Sequence, residues 1–170
     1  FSANAVNNER VDVNWETGKL YVSNEDTHTA TILDLSQGEI LMTIPTGLEP
    51  EGVRLSPDGR LFYVTGEVAS DVTVIDANTG AEITRIKVGL RPRDSIFTAD
   101  SSTAYVSAEF GELINIIDVA SNTAVGEIPL AEGSLPMGLV LSPDESTLYV
   151  ANGRGQTVVA IDLANREVVN

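Results

Sequence analysis

The chain has 170 residues, enough for one domain with its own core. Lys and Arg total 10 against 25 Asp and Glu, a formal charge of −15, which disfavours binding to nucleic-acid phosphates or to anionic membrane surfaces. The absence of cysteine excludes disulfides, thiolate metal sites, iron–sulfur clusters, a Cys nucleophile and covalent c-type haem, and no apolar run approaches the ~18 residues that would cross a bilayer.

In chain order, the first predicted strand is Val11–Val13, followed by a strand carrying Tyr21-Val22. That pair recurs as Tyr63-Val64, Tyr105-Val106 and Tyr149-Val150, spaced 42, 42 and 44 residues apart. Thirteen residues beyond each Tyr stands an Asp behind an aliphatic residue: Asp34, Asp76, Asp118 and Asp162. Thirteen residues before the last three stand Pro50, Pro92 and Pro136, with Asn8 in the first repeat. The one irregularity is a two-residue insertion near Leu130–Ser134. Each repeat reads as four strands. Strand A is Gly52–Leu55 or its copies Asp94–Phe97 and Gly138–Leu141; strand B is Leu61–Val64; strand C is Asp71–Ile75; strand D is the period-two run Glu82–Val88. Turns close them: Ser56-Pro57-Asp58-Gly59 uses Pro to fix φ and Gly to accept positive φ, and Asp76 to Gly80 closes the next hairpin. Four strands per ~40–45 residues predict an all-β fold, a β-propeller of four tandem four-stranded antiparallel blades, with under ~5% helix. The blades fall at about 9–48, 49–90, 91–134 and 135–170 within a single domain.

These motifs, LYVSN, SPDG, TVID and the Gly-x-x-Pro of Gly47, Gly89 and Gly133, resemble the YVTN-repeat β-propeller family over about residues 9–170. Trp15 stands where Pro57 does, and Thr98-Ala99-Asp100 replaces Ser-Pro-Asp. The resemblance implies rings of about seven blades and an exported protein, periplasmic or secreted. In repeat register Phe1 aligns with Thr43 and Asn170 with Met42, so the chain is opened in the middle of an outer strand. Three arrangements follow: an arc of a larger ring, two arcs closing an eight-blade ring, or a four-blade ring. An open arc leaves apolar blade faces bare, so the expected partner is a protein or a second copy that completes the ring.

Candidate sites lie in the loops joining D to A and B to C, where propellers carry their ligand face. The candidate ligand-binding residues are Arg91, Arg93, Asp94, Glu49, Glu51, Glu25, Glu67, Glu109 and Arg154. Arg91 and Arg93, flanking Pro92, could hold a carboxylate or phosphate by forked hydrogen bonds, or pair with nearby Glu49, Glu51 or Asp94. On the first reading, changing both to Ala removes binding and leaves the melting temperature nearly unchanged. His28 is the single histidine, so no His-rich metal site and no catalytic triad is expected, and no G-x-S-x-G elbow occurs. The calcium-like run at Asp76 has Lys87 where the bidentate Glu belongs and reads as a turn. Neither cofactor nor metal is expected, and no catalytic residue is assigned. The expected function is a non-enzymatic extracytoplasmic binding or scaffold module for a protein or small ligand. The alternative is a propeller part of an enzyme, lactonase-like or quinoprotein-associated, whose site lies partly in other blades.

Overall fold

The computed structural model describes residues 8–169. The outer-strand half assigned to Phe1-Ser2, and the terminal Asn170, lie outside the described residues. Sixteen antiparallel strands form four sheets, each a meander in chain order, and the described residues contain no helix. The first sheet holds β1 (Asn8–Asn14), β2 (Lys19–Asn24), β3 (Thr29–Asp34) and β4 (Glu39–Pro45). The second holds β5 (Pro50–Leu55), β6 (Leu61–Gly66), β7 (Asp71–Asp76) and β8 (Glu82–Lys87). The third holds β9 (Pro92–Phe97), β10 (Thr103–Ala108), β11 (Leu113–Asp118) and β12 (Thr123–Pro129). The fourth holds β13 (Gly138–Leu141), β14 (Thr147–Asn152), β15 (Thr157–Asp162) and β16 (Glu167–Val168).

The middle strands β6 and β7 are buried on both faces, whereas β8 alternates because one face meets solvent. Adjacent blades share one core per seam. Tyr21, Ala30 and Ile32 of the first blade pack on Val53, Phe62 and Ile75 of the second. Tyr63, Val72 and Val74 then pack on Phe97, Ala104 and Ile117. Tyr105, Ile114 and Ile116 pack on Leu139, Leu148 and Ile161. The tyrosine of each of the first two blades tilts onto a phenylalanine of the next, with ring centroids 5.0 Å apart for Tyr21–Phe62 and 4.6 Å for Tyr63–Phe97.

A hydroxyl at one repeat position binds the innermost strands together. Strand A bulges against strand B in the first three blades, which frees a strand-A N–H from the ladder. The hydroxyls of Ser23, Thr65 and Ser107 accept those N–H groups, from Arg10 at 3.0 Å, Gly52 at 2.7 Å and Asp94 at 3.1 Å. The same hydroxyls donate across the seam to the carbonyls of Glu51 (2.6 Å), Arg93 (3.3 Å) and Met137 (2.6 Å). One side chain thus satisfies a bulge and fixes the neighbouring blade. The inner strands approach so closely that a Cβ on Gly52 would lie 2.5 Å from the Arg93 carbonyl. In the fourth blade Ala151 holds the position, and strand A pairs there without a bulge.

Thr65→Val keeps the shape but leaves the buried Gly52 N–H without its acceptor, which costs about 1–3 kcal/mol. Urea unfolding should show that loss with an unchanged m-value; a stability equal to the parent would mean the hydroxyl does not hold the seam.

Candidate functional site

Antiparallel meanders put the D-to-A and B-to-C loops at the same end of the blades. The two loop sets are hydrogen-bonded to each other: the Glu67 N–H donates to the Glu49 carbonyl at 2.8 Å, and the Glu109 N–H to the Arg91 carbonyl at 2.9 Å. The residue before each loop proline adopts left-handed backbone, with φ of 51° at Glu49, 57° at Arg91 and 49° at Leu135. This costly conformation recurs in repeat register, so it belongs to the loop.

Charges at equivalent positions of successive blades differ, and this builds the site. The second residue of strand A is Glu9, Glu51 and Arg93 in the first three blades, and the equivalent repeat position in the fourth is Met137, just before β13; the residue after strand B is Glu25, Glu67, Glu109 and Gly153. The Arg93 guanidinium pairs with both Glu51 and Glu67 of the preceding blade. Arg91 reaches Glu67 at 2.6 Å and Glu109 at 3.3 Å. Arg93 lies 3.6 Å and Arg154 3.5 Å from the same Glu109 carboxylate, which has no solvent exposure. Three guanidiniums therefore surround one buried carboxylate at ion-pair range, but neither of its oxygens accepts a hydrogen bond of good geometry. Burial pushes the Glu51 carboxyl up, and the Arg93 charge opposes that rise.

Acid is in surplus toward the first blade. The hydrogen bond that the protonated Glu25 carboxyl donates to Glu9 pushes Glu25 up to about 7, helped by burial and by the charges of Glu9, Glu51 and Glu49. The Glu49 N–H donates to His28 Nδ1 at 3.2 Å, which places the single histidine in this loop.

Of the sequence-predicted residues, Arg91, Arg93, Glu51, Glu67, Glu109 and Arg154 come together in one network, and Glu25 and Glu49 lie on its acidic side. Asp94 stands apart as a strut. Its carboxylate accepts the Leu139 N–H of the next blade at 3.2 Å and lies 3.4 Å from Arg54 of the previous one. The arginines pair mainly with Glu67 and Glu109, across the touching loops, along with Glu51. Charge reasoning passed over the apolar loop tips. Leu48, Val68, Leu90 and Phe110 are all at least half exposed at this same end, and the Arg91 guanidinium sits 4.6 Å above the Phe110 ring. Large apolar side chains at loop tips were the available signal. Among the described residues no group of three or more His, Asp or Glu could hold a metal ion.

No protein-family model matches the chain, and no curated protein matches it. Among solved structures it is similar to Kuenenia stuttgartiensis hydrazine synthase, at 26% identity and a TM-score of 0.90, over 100% of this chain and 50% of that one. It is also similar to a functionally unknown protein from Desulfotomaculum acetoxidans DSM 771, at 14% identity and a TM-score of 0.81, over 97% of this chain and 57% of that one. The chain spans about half the length of the solved chains it matches. These neighbours and the four sheets establish a β-propeller-like repeat fold.

Arg91→Ala with Arg93→Ala removes the cation paired with buried Glu51 and two of the three around buried Glu109, so the pair is destabilising, in contrast to the expectation from sequence. Leaving one partner of a buried pair uncompensated costs about 3–5 kcal/mol, and calorimetry should show a melting temperature lower by several degrees. An unchanged melting temperature would mean that these pairs are not formed in solution.

The Glu25 carboxyl gives a pH signature. Its folded pKa lies above its ordinary value, so its contribution is fully present below ~4.5 and is lost as pH rises toward 7. The melting temperature of Glu25→Gln minus that of the parent should therefore grow between pH 4.5 and 7. A flat difference would remove the Glu9–Glu25 pair from the account.

Proposed function

We propose that the chain is a non-enzymatic binding and scaffold arc of a YVTN-type propeller, working outside the cytoplasm as part of a larger ring. Its loop end docks a protein partner. The carrying observation is that Leu48, Val68, Leu90 and Phe110 are exposed at the loop end that also holds a buried, self-neutralised Arg–Glu cluster. Exposed aromatic and aliphatic side chains beside arginine have the composition of a protein-docking patch. The charged groups that could act on a substrate are occupied with one another, and the His28 imidazole accepts a backbone N–H. An extracytoplasmic setting is supported by the cysteine-free sequence and the repeat resemblance.

A second reading is favoured by the 26% identity to hydrazine synthase over the whole chain: the arc is a non-catalytic propeller part of an enzyme assembly. Both readings place the contact at the loop end.

A photoreactive residue at Phe110 tests the reading in extract of the source cells. It should yield one discrete protein adduct, while the same residue at Ile83 on outer strand β8 yields none. Leu90→Asp with Val68→Asp should cut that yield about tenfold or more, a loss of ~1.4 kcal/mol. Equal adducts at both positions, or turnover of a lactone by the purified chain, would contradict the proposal.

A further inference from the structure

The A-to-B turns lie at the end of the blades opposite the loop site, and three of the four share one construction. The Ser56, Thr98 and Ser142 hydroxyls accept the N–H groups of Leu61, Thr103 and Thr147 at 3.0, 3.1 and 3.0 Å, and donate to Asp58, Asp100 and Asp144. The first turn is built differently. The Asn14 Oδ1 accepts the Glu16 and Thr17 N–H groups, each at 3.0 Å, and the tip residue is Trp15 where the others have Pro57, Ala99 and Pro143. All four tips are exposed, including those of the second and third blades, which have a neighbour on each side. Exposure is therefore a property of the tip position, and Trp15, at 83%, is the single tryptophan of the chain. The other turns form without an aromatic tip, so folding does not require the indole. Successive turns are also linked, except at this seam. The Asp58 N–H donates to Ser101 Oγ of the third blade at 3.1 Å, and the Ala99 N–H to Glu145 Oε1 of the fourth at 2.5 Å. Gly59 holds the equivalent left-handed position in the second blade and has no side chain to form that bridge. Where the bridge is missing, a cleft of about 650 Å³ opens, lined by Trp15, Arg54, Ser56, Asp58, Arg60 and Asn78.

We propose that this cleft binds a neutral sugar. Its volume falls within the ~300–1,000 Å³ of small-molecule sites. Its charges are already matched: Arg60 Nε pairs with Asp58 at 2.7 Å, and Arg54 lies 3.4 Å from Asp94 and donates to the Ser95 carbonyl at 2.9 Å. A phosphate would have to displace those carboxylates, and a cation those guanidiniums; a neutral ligand displaces neither. What the lining offers is donors and acceptors side by side, in the Arg60 guanidinium, the Asp58 carboxylate and the exposed Asn78 carboxamide. Vicinal hydroxyls, which donate and accept at once, match such a set. The indole adds an apolar face for the C–H side of a pyranose ring and one N–H at its edge. The Asn14 and Ser56 bonds fix both turns before a ligand arrives, which limits the ordering cost of binding.

The cleft lies at the opposite end of the blades from Leu90 and Phe110, so sugar binding here and partner docking there succeed or fail separately. Because Trp15 is the single tryptophan, its emission reports this cleft alone. Titration of the chain with cellobiose and with chitobiose should give, with at least one of them, a saturable blue shift that added salt does not weaken and glycerol does not reproduce. Arg60→Ala with Asn78→Ala, both at exposed positions, should weaken that binding about tenfold or more at an unchanged melting temperature. Trp15→Ala, followed by calorimetry, should lose the heat of binding and melt like the parent. Retention of the parent but not of Trp15→Ala on insoluble cellulose or chitin would place the sugar at a polymer surface; a full emission response with no retention would make it a free saccharide. Emission that stays unchanged with both disaccharides would overturn the proposal, as would undiminished affinity in the Arg60→Ala, Asn78→Ala chain. A response to inorganic phosphate that fades with salt would overturn it too, by assigning the cleft to an anion.

Discussion

A four-stranded sheet whose middle strands are buried on both faces needs a layer on each side, and the other features of this chain follow from that requirement. Each blade uses the next as its second layer. Burial supplies the driving force without direction; the Ser23, Thr65 and Ser107 hydroxyls supply direction, since each must meet one strand-A N–H and one carbonyl of the following blade. Two of those carbonyls belong to Glu51 and Arg93. The seam contact that orders the blades therefore also places the charged residues at the mouth.

That coupling explains how a repetitive scaffold carries a non-repetitive site. Glu9, Glu51 and Arg93 occupy the same bulged strand-A position, and Glu25, Glu67 and Glu109 the same position after strand B, so exchanging side chains there changes charge without changing the fold. Acid on two blades followed by arginine on the third yields ion pairs that cross a seam, adding to its cohesion while consuming the charges. What the loop end offers outward is then mainly apolar: Leu48, Val68, Leu90 and Phe110.

The strands were legible because the Tyr-Val pairs, the strand-end aspartates and the loop prolines recur at fixed offsets, and a period shared by four copies leaves little freedom of assignment. The end aspartates are turn-builders: Ser36 and Gln37 donate to Asp34, and Asn78 and Thr79 to Asp76, which holds both carboxyls below their ordinary range. The candidate loops were legible as positions, but the partners of their arginines were not. Sequence proximity points from Arg91 and Arg93 to Glu49, Glu51 and Asp94, yet Glu67 and Glu109 come close only once the B-to-C loop lies against the D-to-A loop. The difference in burial was equally hidden, since Val158 looks like Val72 in a sequence yet is 67% exposed where Val72 is buried.

Hydrogen exchange followed by mass spectrometry tests the claim that neighbouring blades are what hold each blade together. Amides of β6 and β10, covered on both sides within one chain, should be strongly protected. Those of β14, where Tyr149 is 44% exposed, should be distinctly less protected. Equal protection of β6, β10 and β14 would contradict the account, because each blade would then be stable without its neighbour.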